Sequence, residues 1–248
     1  MTDHTFADQI VIVTGGASGI GLAIAEHFAA RGARLALIDL ASTVEEAANS
    51  LPGAGHTGIQ KDLSDPAAAT EVVDRVVSEM GTPHVLVNSA GVAILDRALD
   101  VTPDRWATTM RVNLDASFYM AQAAGRVMTE AGYGRVICMA SQAAVIALDS
   151  HAAYAASKGA IVSLVKVLAA EWARSGVTVN AVSPTVIETP LGKKAWAGEK
   201  GERARAAIPV GRFGQPEEVA AMVAYLAGKD AAMVTGTNML LDGGNTIV

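Results

Sequence analysis

The stretch QIVIVTGGASGIGLAIAEHFAARG, residues 9–32, decides the fold. Gln9 to Val13 is a short apolar run and Thr14 to Gly21 a glycine-rich turn; Leu22, Ile24, Ala25 and Phe28 then recur at helical spacing as far as Gly32. The order is strand, turn, helix. Gly15, Gly19 and Gly21 let the backbone turn tightly and approach a phosphate group closely. The helix that follows presents free N–H groups and the positive end of its dipole to an anion. Ser18 and Ile20, inside the same turn, belong to this contact surface.

A second apolar run, Leu35 to Ile38, closes on Asp39, about 20 residues beyond the glycines, which completes the context of a dinucleotide-binding strand-helix-strand unit. A carboxylate in that place accepts hydrogen bonds from both adenosine ribose hydroxyls and repels a 2′-phosphate. Neither the turn nor the next residue, Leu40, offers a Lys or Arg to offset the repulsion, so NAD is the expected cofactor and NADP the less favoured one. Asp62, in KDLSD after the third apolar run, is placed to accept from the adenine amino group, with Leu63 beside it; Asp65 reads as a helix cap. Asn88, Ala90 and Gly91 end the fourth run next to the cofactor.

Further apolar runs at Gly58 to Gln60, Val85 to Val87, Val136 to Met139, Val177 to Val182 and Met239 to Leu241 read as strands. They alternate with helical stretches near 66–80, 103–131, 152–174 and 216–227. Such alternation predicts a parallel sheet with helices on both faces. Ser183 to Gln215, with three prolines and a charged centre from Gly198 to Arg205, is the one long irregular stretch, and its part around 186–212 reads as a substrate lid.

The chemistry is carried by Ser141, Tyr154 and Lys158. A Tyr and a Lys four residues apart lie on one helix face, one turn from each other. A free phenol has a pKa of about 10, and an ammonium about 4 Å away is worth roughly 4 kcal/mol at an effective dielectric near 20, enough to lower that value markedly before desolvation takes some back. Ser141 can hydrogen-bond the substrate oxygen whose proton Tyr154 moves.

Taken together, Thr14-Gly15-x-x-x-Gly19-x-Gly21, Asn88-x-Ala90-Gly91, Asn113, Ser141, Tyr154-x-x-x-Lys158 and Asn180 to Thr189 resemble the short-chain dehydrogenases/reductases over essentially the whole chain. The resemblance implies a single-domain Rossmann fold over residues 1–248, doubly wound around a seven-stranded parallel sheet. It implies Tyr154 as catalytic acid/base, Ser141 orienting the substrate oxygen and Lys158 lowering the Tyr pKa while holding the nicotinamide ribose. Asn113 would anchor a water that relays protons to Lys158. Pro184, Ile187 and Thr189 would complete the cofactor site, Thr189 on the nicotinamide carboxamide and Ile187 near its ring. Two departures stand out: Ser89 where the family usually has Asn, and Thr185 where it usually has Gly. Pro184-Thr185 followed by Val-Ile-Glu-Thr looks like the branch acting on polyols and ketoses. The resemblance therefore implies hydride transfer, with no metal, between the nicotinamide and a secondary alcohol of a small polyol. Gln142, His151, Thr185 and Trp196 are the candidate substrate contacts, and their polarity suits a polyhydroxylated molecule. The competing readings are a 3-oxoacyl-carrier-protein reductase, and a non-catalytic NAD-binding scaffold or sensor, which would not need an intact Ser141, Tyr154 and Lys158.

Composition narrows the partners. With 248 residues, 51% hydrophobic and 18% charged, the chain is long enough to bury a large core. A net charge of −6 without a basic run argues against nucleic acid. The single Cys138 excludes an intrachain disulfide and fits a reducing compartment, so the cytoplasm is expected. The first residues lack a signal-like segment, and no apolar run reaches about 18 residues, so no membrane span is expected. Apolar residues around more than one face of 152–174, with those of 103–131 and Thr237 to Val248, point to a homotetramer.

Overall fold

Seven runs rich in Val, Ile and Leu form the strands of the computed structural model, which describes residues 6–248. They are β1 Ile10–Thr14, β2 Arg34–Asp39, β3 Thr57–Gln60, β4 Val85–Asn88, β5 Gly134–Met139, β6 Val177–Pro184 and β7 Asn238–Leu241. Residues 1–5, the start of the segment searched for a leader, lie outside the described residues. The strands are all parallel, in the order β3-β2-β1-β4-β5-β6-β7. Every residue of β1, β4, β5 and β6 is buried, which is why these runs are largely apolar on both faces, with Asn88, Arg135, Thr178, Asn180 and Ser183 among the buried polar exceptions. The order reverses between β1 and β4, so the crevice for a ligand opens at their carboxyl ends, where Thr14 is level with Asn88 and Asn88 with Cys138.

The helices are α1 Gly19–Ala29, α2 Val44–Ser50, α3 Pro66–Met80, α4 Pro103–Met110, α5 Ala116–Ala131, α6 Ala152–Trp172, α7 Pro190–Ala195, α8 Glu199–Ala207 and α9 Pro216–Ala227. Through Ile24, Phe28, Val44 and Val223, helices α1, α2 and α9 cover one face of the sheet around Val11, Val13 and Leu37. The other face, around Ile12, Leu86 and Val136, is covered by α3, α5 and α6. Local signals set the starts. Asp65 caps α3 by accepting from the Ala67 N–H at 3.0 Å, and Gln215 and Glu218 form a capping box at α9.

Four features depart from the sequence expectation. Residues 103–131 are not one helix: a wider π-helical turn, Arg111–Asp115, separates α4 from α5 and turns Asn113 fully into the interior. α2 was not anticipated, being short and burying only Val44 and Ala48. The stretch read as irregular holds α7 and α8, the latter supported by a Glu199–Arg203 pair at 3.1 Å across one turn. Finally, Ala152–Ser175 is by length and mean hydropathy, 1.4, apolar enough to cross a membrane, because interspersed alanines raise the mean without forming an unbroken apolar run. Its buried side packs Ile161, Val165, Leu168 and Ala169 into the core and also holds Lys158, which marks it as a core helix of the sheet layer.

Candidate active site

The glycine-rich turn is locked to the end of β4. Thr14 Oγ1 accepts from the Ser89 and Ala90 N–H groups, both at 3.1 Å, so the Ser that replaces the usual Asn takes part through its backbone. Gly15 has φ +68°, and a Cβ there would lie 2.9 Å from the Ala90 backbone. At Gly21 a Cβ would fall 2.1 Å from the Gly15 carbonyl oxygen, so the close approach of turn and helix excludes any side chain. Ser18 precedes α1 in extended conformation and makes no side-chain cap, which leaves the first-turn N–H groups of Gly19, Ile20 and Gly21 to a ligand. Asp39 is fixed at the end of β2: its carboxylate accepts from Ala17 N–H and Ala41 N–H, each at 3.0 Å. A tight turn, an uncapped helix start and an anchored carboxylate fit a nicotinamide dinucleotide, the pyrophosphate on the turn and the adenosine ribose on Asp39.

The neighbours divide. Leu40 is exposed beside Asp39, whereas the Leu63 side chain is buried in the core. Asp62 accepts from the Ser64 N–H at 2.9 Å, and its hydrogen bonds with Ser64 hold the carboxyl below its ordinary pKa. Asn88 is buried, donating Nδ2 to the Ser117 carbonyl, while its Oδ1 has no partner among the described residues. Thr189 caps α7 by accepting from Gly192, and its methyl would lie 3.5 Å from a Cβ placed on Gly19, so the segment after β6 closes over the turn. Ile187 is buried beneath it and Pro184 ends β6.

The proposed catalytic residues converge from three elements. Ser141 follows β5, Tyr154 and Lys158 stand one turn apart on α6, and Asn113 faces them from the π-helical turn. A Cβ on Gly91 would lie 3.2 Å from Asn113 Oδ1 and 3.5 Å from Lys158 Nζ, which locates the meeting point. Asn113 is held on three sides: Oδ1 accepts from Val92 N–H at 2.8 Å, and Nδ2 donates to the Val92 carbonyl and to Ser157 Oγ at 3.0 and 3.1 Å. Lys158 Nζ donates to the Met139 carbonyl at 2.7 Å and lies 5.7 Å from the Tyr154 ring centre. Burial pushes its pKa down to about 8. Burial also raises the Tyr154 phenol, and the Ser141 hydroxyl beside it is what pulls that value back down. The Lys158 ammonium is engaged on a main-chain carbonyl, one turn from Tyr154 on the same helix face.

On the substrate side, Ser141 Oγ caps the turn Gln142–Ala144 by accepting from Ala143 N–H at 3.2 Å. Gln142 is buried, and Thr185 Oγ1 is buried with no partner among the described residues. The His151 ring meets the Tyr154 ring edge-on at 5.9 Å. Trp196 packs against Phe213 at 6.1 Å with Lys200 over its ring, so its indole is engaged by neighbouring side chains. Three participants escaped the sequence reading: the Met139 carbonyl, Ser157 and Asn245, which donates to Gln142 at 2.8 Å. None had a sequence signal, since each acts through a contact far along the chain or through the backbone.

A family model described as enoyl-(acyl carrier protein) reductase matches residues 15–246, over the elements that build this site. The chain is a short-chain dehydrogenase/reductase. As a member of that family it is an oxidoreductase. This dehydrogenase/reductase is 47% identical over 245 residues to an NAD-dependent glycerol dehydrogenase of Listeria innocua, covering 99% of this chain and 96% of the relative. It is equally 47% identical to a D-threitol dehydrogenase of Mycolicibacterium smegmatis, covering 99% and 95%. Among solved structures, a protein of Beutenbergia cavernae described as an NAD(P)-dependent gluconate 5-dehydrogenase, with NADP bound at low occupancy, superposes with a TM-score of 0.94. It is 34% identical, covering 99% of this chain and all of the other.

Proposed function

We propose that this enzyme oxidises a secondary alcohol of a small polyol, a tetritol or pentitol, to the corresponding ketose with NAD. The observation that carries the reading is Thr185: its buried hydroxyl has no partner among the described residues, where the family usually has no side chain at all. An unpaired buried hydroxyl costs about 1–3 kcal/mol, a cost that a hydroxylated substrate relieves. Gln142 adds a second polar group at the end of the neighbouring strand. The names of the two relatives at 47% identity, glycerol and D-threitol dehydrogenase, agree with this class.

Bound NAD supplies the hydride acceptor, held by Gly15, Gly19, Gly21 and Asp39. Tyr154 in its phenolate form takes the hydroxyl proton, Ser141 orients the reacting oxygen, and Lys158 and Asn113 hold the proton path behind Tyr154. Asp39 favours NAD over NADP through charge repulsion. We take residues 1–248 as one cytoplasmic domain with its lid around 186–212, assembled as a homotetramer. A groove between α5 and α6 supports the assembly: Phe118, Leu164, Val167 and Trp172 line it, with Arg126 and Glu171 as complementary charges within it. Light scattering at micromolar concentration tests the tetramer. Initial rates of NADH formation across four-, five- and six-carbon polyols, with NADP as the paired control, test the activity.

A further inference from the structure

Among the described residues, one side-chain pair joins the C-terminal turn to the turn that follows Ser141. Asn245 Nδ2 donates to Gln142 Oε1 at 2.8 Å, joining residues 103 positions apart. Neither end of the pair is loose. Gln142 is 6% exposed and opens the turn whose cap is Ser141. Asn245 stands on a hook folded by Asp242, whose carboxylate accepts from Gly244 N–H at 3.0 Å and Thr246 N–H at 2.8 Å. The hook depends on left-handed backbone at Gly243, φ +60°, and Gly244, φ +87°. It is also tied to the end of the lid, where Val210 N–H donates to the Gly243 carbonyl at 3.1 Å.

The pair occupies one end of the Gln142 amide and leaves the other to a ligand. Its carbonyl oxygen is occupied by Asn245, so its NH2 group is the end left to a ligand. That group has no acceptor among the described residues and stands on an otherwise buried side chain, one residue from Ser141. Thr185, whose orphan hydroxyl is at the end of the adjacent strand, lies on the same side of the crevice.

We propose that Asn245 is a positioning residue: it holds the Gln142 amide so that Nε2 donates to the substrate oxygen on the carbon next to the one being oxidised. The enzyme thereby selects vicinal diols over simple secondary alcohols, and the C-terminal hook is part of the specificity apparatus. This rests on the polyol reading. It differs from that reading in assigning the discrimination to a residue that does not itself touch substrate.

The test compares wild type, Asn245→Leu and Asn245→Asp on the best vicinal polyol and on a simple secondary alcohol such as 2-butanol, with NAD affinity measured by fluorescence as the control. Asn245→Leu removes the donor and frees the amide. KM for the polyol is expected to rise about tenfold, with kcat within about twofold and 2-butanol kinetics and NAD affinity unchanged. Asn245→Asp can only accept, so Gln142 must turn its NH2 group towards the hook. The amide oxygen that Gln142 then presents can accept from the substrate hydroxyl, so the polyol KM is expected to rise less than in Asn245→Leu, again with 2-butanol kinetics unchanged. Equal losses on both alcohols, or no loss on either, would overturn the assignment while leaving the polyol reading intact. A wild type that oxidises 2-butanol but no polyol would overturn both.

Discussion

Lys158 donates its ammonium to the Met139 carbonyl at 2.7 Å, although Tyr154 stands one turn away on the same helix face. The carbonyl closes β5, the strand that delivers Ser141, so the hydrogen bond ties the helix of Tyr154 to the strand of Ser141. Lys158 is 5% exposed, and the price of that burial appears as a pKa lowered from 10.5 to about 8.

That shift makes a stability prediction. Below about pH 8 both folded and unfolded chains hold the proton, and the burial penalty of roughly 3 kcal/mol is fully present. Between about 8 and 10.5 the unfolded chain binds the proton that the folded one has released, so the Lys158 contribution to stability rises with pH. Lys158→Met is expected to unfold at higher urea concentration than wild type near pH 7, and the gap should narrow near pH 10. A gap independent of pH would show that the lysine is not strained by burial.

Tyr154 is raised by burial and lowered only by Ser141, so alcohol oxidation should accelerate with rising pH and ketose reduction should slow. Tyr154→Phe should fold with an unchanged melting temperature and lose activity by about a thousandfold. Ser141→Ala removes the group that lowers the phenol, so its residual oxidation profile should move to higher pH.

Asp39 is held by two N–H groups, from the turn and from the residue beyond Leu40, which fixes its charge at the end of β2, where the proposed NAD preference needs it. Asp39→Ser should weaken NAD about tenfold and strengthen NADP by a similar factor, as measured by kcat/KM with each cofactor. Unchanged discrimination would remove Asp39 from its role.

Thr185→Val separates stability from function. Replacing an unpartnered buried hydroxyl by a methyl of the same shape should stabilise the protein by about 1 kcal/mol and raise the polyol KM. A variant less stable than wild type would indicate that Thr185 Oγ1 is satisfied in solution.

The sheet and the cofactor turn were legible because their signals are local. β-branched runs ending in glycines and an acidic residue specify strand, turn and the placement of a strand-end carboxylate within 31 residues, Gln9 to Asp39. The spacing of Tyr154 and Lys158 was equally readable, since helix geometry puts them on one face. What spacing could not convey is where a flexible lysine ends its reach, because Met139 offers a carbonyl that every residue possesses. The Asn245–Gln142 pair was hidden for a related reason: it depends on how the last strand and its hook return beside β6. The π-helical turn escaped because its residues, Arg111 to Asp115, carry no signal that separates them from an α-helix.

The most direct test of the central claim is one assay that follows reduced cofactor and identifies the product. Purified enzyme is supplied with NAD, or in parallel with NADP, and with threitol, erythritol, xylitol, arabitol, sorbitol or galactitol in turn. The account predicts NADH and a ketose in equal amounts from one stereochemical set of these polyols, with NADP much poorer. No turnover of any polyol, together with NADPH-linked reduction of an acetoacetyl thioester, would contradict it.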